Sequence, residues 1–493
     1  MHICIKIALL GLVLAVLTPL ATWADGPVTG SPFGVAYGEG SSNLDHFMDY
    51  VHDLGVTRTK VSFYWHEIEP EPGIYDFTAL DQYLEQLGPD DQGLINLFTS
   101  GWCTQAQGRC KGSPIVGCPY EASDCEESCA ERYREFVLAV AEHVKKVRNG
   151  GVVYWQRDTE PASPFPHFPA NSPEAYVELQ RIFYKAVKSV FPDAIVIGCN
   201  QNGDFTEAAE PANAPFFDYF LENASDWFDA LDIRLYKDVY TIPERVSWFR
   251  DRMRLYGYEK PIVSTEQGGP DVRTMYQGGR SLFKGFLAQL SDSCSRRNVK
   301  WCFTAFLRQN RDRINPKFWP FYFPDDPAQE EIYERMQAAD IIERNVVMLA
   351  SGVEATWWWN LRSAGMDPIF GRMRLMSDDY QPLPGYDVYK RMVGTLGPVT
   401  DVTRIEMDDP SIYLYRVGRS DAGTPVYVAW HRAANADPYD AALAPGITAI
   451  IPIALSGPEI IDAMGNGVAF TGKSMLTVEL SGLPLFIVGG QGS

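Results

Sequence analysis

The 493-residue sequence predicts a (β/α)8 barrel followed by a small all-β sandwich, on three observations. From Ser31 to about Leu396, short β-rich apolar runs alternate with longer segments whose apolar residues recur every three or four positions. These strand–helix repeats number eight, which suits a closed barrel better than an open sheet. Past Gly397 the pattern changes to period-2 alternation broken by Gly, Asp and Ser.

Taken in order, the barrel strands are expected at Phe33–Tyr37, Thr57–Tyr64, Gly93–Thr99, Val152–Gln156, Ala194–Cys199, Ala230–Tyr236, Pro261–Glu266 and Val353–Trp359. Helices are expected at Asn43–Leu54, Cys129–Val147, Pro173–Val190, Pro243–Tyr256 and Glu330–Leu349, with Tyr386–Leu396 closing the ring behind the turn residues Pro382, Pro384 and Gly385. The sandwich strands are read at Ser411–Val417, Pro425–Trp430, Ile447–Ile453 and Met475–Leu480. Gly467 to Ser474 fits the G-x-x-x-x-G-K-[ST] spacing of a phosphate loop, but alternating residues follow it where such a loop opens a helix, so nucleotide binding is set aside.

At the N-terminus, Lys6, the apolar run Ile7–Leu20 and the small-x-small Thr22-Trp23-Ala24 form the pattern of a secretory signal over residues 1–24. A catalytic domain over 25–396 and a β domain over 397–493 then make up an exported protein, secreted or periplasmic, with no membrane association after cleavage. Removing Cys4 leaves eight cysteines, five of them crowded between Cys103 and Cys129. No histidine and no C-x-x-C pair falls in that stretch, so disulfide stapling of a long loop is expected over zinc, with Cys294 and Cys302 a further candidate pair. The net charge of −20 and the lack of a Lys/Arg run argue against nucleic acid, and no cofactor or metal motif is present.

Active sites of such barrels lie where the strands end, so carboxylates there carry weight. Glu160 follows Val152-Val-Tyr-Trp-Gln-Arg-Asp-Thr and precedes Pro161; Glu266 ends Pro261-Ile-Val-Ser-Thr and precedes Gln-Gly-Gly-Pro270. Both are delivered to the same face, and paired carboxyls about 5–5.5 Å apart are what cleavage of a glycosidic bond with retention requires. Trp65, Trp102, Trp155 and Trp357, near strand ends, are candidate platforms for a sugar ring, with core packing the plain alternative.

These residues resemble the clan of retaining glycoside hydrolases on (β/α)8 barrels, with acid/base on strand four and nucleophile on strand seven. The stretch Leu54-Gly-Val-Thr-Arg-Thr-Lys60 through Trp65, Glu69-Pro70, Gly73 and Tyr75-Asp-Phe77 is similar to members related to β-galactosidases and β-xylosidases. The resemblance implies that Glu160 is the acid/base, Glu266 the nucleophile, Tyr236 its hydrogen-bond donor and Trp357 to Trp359 the residues under the sugar. Three positions depart from the clan: Thr159 stands for asparagine, Lys60 for arginine and Arg234 for histidine. Asp158 is a candidate second acid or a modulator of Glu160. A neighbouring carboxylate and partial burial are expected to keep Glu160 protonated while Glu266 stays ionised. The competing class is a carbohydrate-binding protein that has lost turnover. A lipase is disfavoured by the absence of G-x-S-x-G, and a metallohydrolase by seven histidines without H-x-H or H-E-x-x-H.

Overall fold

The computed structural model describes residues 31–38, 44–71, 73–98, 129–148, 150–158, 160–162, 172–202, 213–275, 299–362, 370–434, 436–473 and 475–489. Residues 1–24, expected to be a secretory signal, Trp102, the cysteine-rich stretch before Cys129, Thr159 and Cys294 lie outside these residues.

Eight parallel strands close into a barrel in sequence order: β1 (Phe33–Ala36), β2 (Arg58–Tyr64), β3 (Gln92–Phe98), β4 (Val152–Arg157), β5 (Ile195–Asn202), β6 (Ala230–Arg234), β7 (Ile262–Gln267) and β8 (Val353–Trp358), with β8 pairing back onto β1. The helices are α1 (Phe47–Asp53), α2 (Trp65–Ile68), α3 (Thr78–Gln86), α4 (Cys129–Val147), α5 (Pro173–Val190), α6 (Ala214–Asn223), α7 (Ile242–Leu255), α8 (Val299–Gln309), α9 (Trp319–Tyr322), α10 (Pro327–Ala350), α11 (Pro384–Leu396) and α12 (Pro438–Leu443). Start signals are legible where they matter: Ser172 and Asp326 cap α5 and α10 through their side chains, each with proline in the first turn.

Alternation along the strands sorts side chains between the helix layer and the lumen. Leu94, Tyr154, Ile197, Ala230, Val263, Ala355 and Trp357 meet inside the barrel as an apolar floor. Above it the lumen turns polar, with Lys60, Gln156, Asp232 and Thr265 buried in one hydrogen-bonded layer.

The chain then forms β9 (Val399–Ile405), β10 (Ile412–Arg419), β11 (Val426–His431), β12 (Ile447–Ile451), β13 (Glu459–Asp462), β14 (Phe470–Thr471), β15 (Leu476–Leu480) and β16 (Leu485–Val488). They make two antiparallel sheets, ordered β13-β16-β11-β10-β9 and β12-β15-β14, which share a core of Leu414, Ala429, Ile451, Leu476, Val478 and Ile487. The other face of the larger sheet, including Val428, Trp430 and Phe486, joins the core of the barrel. The phosphate-loop look-alike lies in the β14–β15 hairpin, where Gly472 takes a left-handed φ of 95° and Phe470 pairs with Val478. No helix among the described residues is long and apolar enough to cross a membrane.

Candidate active site

Glu266 is the penultimate residue of β7, its carboxylate 13% exposed and gripped on both oxygens. Tyr236, just past β6, donates to Oε1 at 3.0 Å, while Oε2 lies 2.6 Å from Nη1 of Arg234 and 3.4 Å from Nζ of Lys60. A phenol on one oxygen and two cations on the other fix the group in place. Beneath it, Asp232 accepts from the backbone N–H of Thr265 at 2.7 Å, from its hydroxyl at 2.9 Å and from Gln156 at 3.0 Å. Asp232 also faces Nε of Arg234 at 3.8 Å, so the guanidinium is moored from below.

Glu160 reaches the same guanidinium from the opposite wall. Its Oε1 lies 3.9 Å from Nη1 of Arg234, and its side chain is 33% exposed. Since that one nitrogen touches both carboxylates, the contacts of 3.9 and 2.6 Å laid end to end cap the separation of the two oxygens at 6.5 Å. The backbone explains how a residue beyond the strand arrives there: Asp158 and Glu160 take left-handed φ values of 53° and 47°, an uncommon conformation for residues with a Cβ.

The end of β6, which supplies Arg234 and Tyr236, is held from the helix layer. Arg245 of α7 donates to the carbonyls of Tyr236 and Arg234, both at 2.6 Å, and Arg344 of α10 donates to those of Leu235 at 2.5 Å and Lys237 at 2.8 Å. Asp340 neutralises Arg344 at 2.7 Å. Carbonyls that run out of strand partners thus acquire charged donors.

Ionisation follows from this crowding. Burial, reinforced by the nearby Arg234, lowers the Lys60 ammonium from 10.5 to about 8, with Glu266 and Asp232 pulling the other way. Burial would lower Arg234 too, but Glu266, Glu160 and Asp232 outweigh it and hold the guanidinium above its ordinary value. Burial and the charge of Glu266 push the Tyr236 phenol well upward, which keeps it a hydrogen-bond donor.

Of the residues singled out by sequence, Lys60, Glu160, Arg234, Tyr236 and Glu266 are brought together. Four others among the described residues are not. Asp158 is fully buried and pairs with Nη2 of Arg157 at 2.5 Å, and Arg157 lies over the Tyr176 ring of α5, so this carboxylate serves the wall behind the barrel and not the mouth. Glu160 has the Arg234 guanidinium as a charged neighbour. Trp65 is a core residue, 1% exposed, stacked on Phe136 with ring centroids 5.1 Å apart and donating to Glu69 at 2.6 Å. Glu69 also accepts from the N–H of Gly73 at 2.7 Å, where φ is 74°, so the Trp65–Gly73 stretch is a braced turn. Trp357 is buried in the barrel floor, edge-on to Tyr154, and offers no face to a sugar. Trp155, on the helix-facing side of β4, packs near Phe191.

Asp232, Gln156 and Thr265 were not singled out beforehand; alternation points to Asp232, two positions from Arg234, and to Gln156, two from Tyr154, but not to Thr265, which adjoins Glu266 where the β7 register shifts. Trp359 was seen only as part of the tryptophan run; it is half-buried and two residues nearer the mouth than Trp357. Among the described residues no cluster of three His, Cys, Asp or Glu could hold a metal ion.

No family model matches the chain, and neither does any curated protein. Solved structures do resemble it. A family 39 glycoside hydrolase from Bacteroides cellulosilyticus WH2 aligns with a TM-score of 0.61 at 18% identity, over 93% of this chain and 81% of its own. A glucosidase from Croceicoccus marinus aligns at 0.56 and 14% identity, over 94% and 96% of the two chains. A monomeric β-xylosidase from Caulobacter crescentus CB15 aligns at 0.56 and 13% identity, over 92% and 95%. The chain therefore shares with these glycoside hydrolases a closed (β/α)8 barrel followed by a β domain.

Proposed function

We propose that the protein is an exported glycoside hydrolase that cleaves O-glycosidic bonds of an oligo- or polysaccharide with retention, Glu160 acting as acid/base and Glu266 as nucleophile. The observation that carries this reading is the pair of carboxylate oxygens within 6.5 Å across one guanidinium. That ceiling favours the ~5–5.5 Å spacing of retaining sites over the ~6.5–9.5 Å that leaves room for a water in inverting ones. The fold likeness to glycoside hydrolases supports the same class.

In the first step Glu266 attacks the anomeric carbon and the bond to the leaving oxygen breaks, its electron pair taking the proton of Glu160. In the second, Glu160 as base removes a proton from water, which attacks the same carbon and releases Glu266. Tyr236 holds the attacking carboxylate in line. Disulfides in the Cys103–Cys129 segment and removal of residues 1–24 belong to the same proposal, as does a preorganised wall of the cleft built by that segment.

A panel of aryl glycosides and polysaccharides tests it. Turnover should appear on at least one, with the first-formed sugar keeping the substrate's anomeric configuration by NMR. Glu266→Ala should lower kcat at least ~10³-fold with an unchanged circular dichroism spectrum, and azide should rescue Glu160→Ala on an activated substrate. Inversion, or a Glu266→Ala enzyme near wild-type activity, would end the proposal. Sugar binding by calorimetry without any hydrolysis would instead favour a binding protein on the same barrel.

A further inference from the structure

The two catalytic carboxyls proposed above exchange charge in the first step. Before it, Glu266 is an anion and Glu160 a neutral acid; after it, Glu266 is a neutral ester and Glu160, having given its proton to the leaving oxygen, is the anion. The negative charge has crossed the cleft while the total is unchanged. A buried cation fixed to Glu266 alone would then be stranded without a counter-charge, a costly state in a low-dielectric site.

The geometry points to Arg234 as a shared counter-ion that changes partner with the charge, contacting Glu266 while the site is free and Glu160 once the glycosyl-enzyme has formed; this rests on the glycosidase reading. One atom, Nη1, lies 2.6 Å from Glu266 and 3.9 Å from Glu160, so a shift of about one ångström, a fraction of what a rotamer change provides, converts the looser contact into a hydrogen bond. The hinge for such a shift is in place. Nε stays near Asp232, which Thr265 and Gln156 immobilise, and among the described residues nothing accepts a hydrogen bond from Nη2, so no second anchor resists the movement.

Lys60 cannot do this. Its ammonium is buried one layer lower, bonded to the Thr265 hydroxyl at 3.2 Å, and of the two carboxylates it contacts Glu266. A lysine is also a point charge, whereas the planar guanidinium offers donors along two edges. Around Arg234 the charged and titratable neighbours are Lys60 from β2, Glu160 from beyond β4, Asp232 and Tyr236 from β6 and its end, and Glu266 from β7. Only Glu160 and Glu266 change charge in the step.

The pH dependence of kcat/KM on an aryl glycoside tests the assignment, because its acidic limb reports ionisation of the nucleophile and its basic limb loss of the acid's proton. Removing a cation raises the pKa of a neighbouring carboxyl. Arg234→Gln should therefore move both limbs to higher pH by about one unit, in addition to slowing the reaction. Arg234→Lys should move them less, and Lys60→Gln should move the acidic limb alone. A slow Arg234→Gln enzyme with both limbs unmoved would overturn the shared role, as would a Lys60→Gln profile displaced on both sides. If Arg234→Gln fails to fold, Arg234→Lys against Lys60→Gln still decides, since only the former should touch the basic limb. A wild type that turns over no glycoside removes the glycosidase reading and this role together; a wild type that turns over, with unmoved limbs in the variants, removes this role alone.

Discussion

Asp158 and Glu160 are two positions apart and face different surroundings. Strict alternation would put them on one face, and that is how the sequence reads. The two left-handed backbones break the alternation: Asp158 is turned into the wall against Arg157, while Glu160 is returned to the mouth. Asp158→Ala should thus cost about 3–5 kcal/mol of stability in a urea melt by stranding the buried Arg157, and leave the pH profile of kcat/KM in place. A displaced basic limb with unchanged stability would return Asp158 to the chemistry. By contrast Lys60, Arg234 and Tyr236 were legible because β2 and β6 alternate regularly into the lumen, whereas Glu266 was legible from its place at the strand end, since the β7 register shifts there and its neighbour Thr265 faces the lumen as well. The braces from Arg245 and Arg344 were not, because a helix arginine that reaches a strand carbonyl leaves no trace in local pattern.

At the level of elements, β8 shows both what periodicity gives and where it stops. Ala355 and Trp357 face the lumen, whereas Thr356 bonds to Asn345 of α10 and Trp358 packs beside Tyr389 of α11. Reading a tryptophan near a strand end as a sugar platform ignored depth: two residues along a strand is about 6.6 Å, enough to separate the floor from the mouth. Trp357→Leu should lower the melting temperature with KM unchanged, while Trp359→Ala should raise KM roughly 10-fold or more with a small effect on melting. A KM that responds to Trp357 and not to Trp359 would reverse that assignment. All eight barrel strands were legible because parallel strands covered on both faces read as apolar runs. Strand β9 was not: its apolar residues Val399, Val402 and Ile405 recur every third position, a helix-like spacing, and only pairing with β10 makes it a strand. Strand β16 lies between β13 and β11 with Leu485, Phe486 and Ile487 all buried, so it has no alternation to read.

For the whole molecule, the join between barrel and β domain centres on a polar relay. Trp430 of β11 donates to the Tyr240 hydroxyl at 2.7 Å, and Tyr240 donates to Glu343 of α10 at 2.8 Å, with Arg432 over the Tyr240 ring at 4.1 Å. Burial raises the Glu343 carboxyl from 4.5 to about 8, against the pull of Arg432 and Tyr240. The folded chain therefore keeps a proton there that the unfolded chain loses above about 4.5, so this contribution to stability is full below 4.5 and is lost as pH rises through 8. Against Glu343→Gln, which titrates nothing, the wild type should lose stability between pH 5 and pH 8.5, on the order of 3 kcal/mol or less. Parallel pH curves for the two proteins would refute it. The apolar floor of the barrel has its own consequence. With Tyr154, Trp357 and their neighbours stopping the lumen from below, whatever enters from the mouth must back out the way it came. Arrival and departure then share one doorway, so a cleaved sugar still in residence bars the next one, and traffic through that doorway competes with bond breaking to set the pace of turnover.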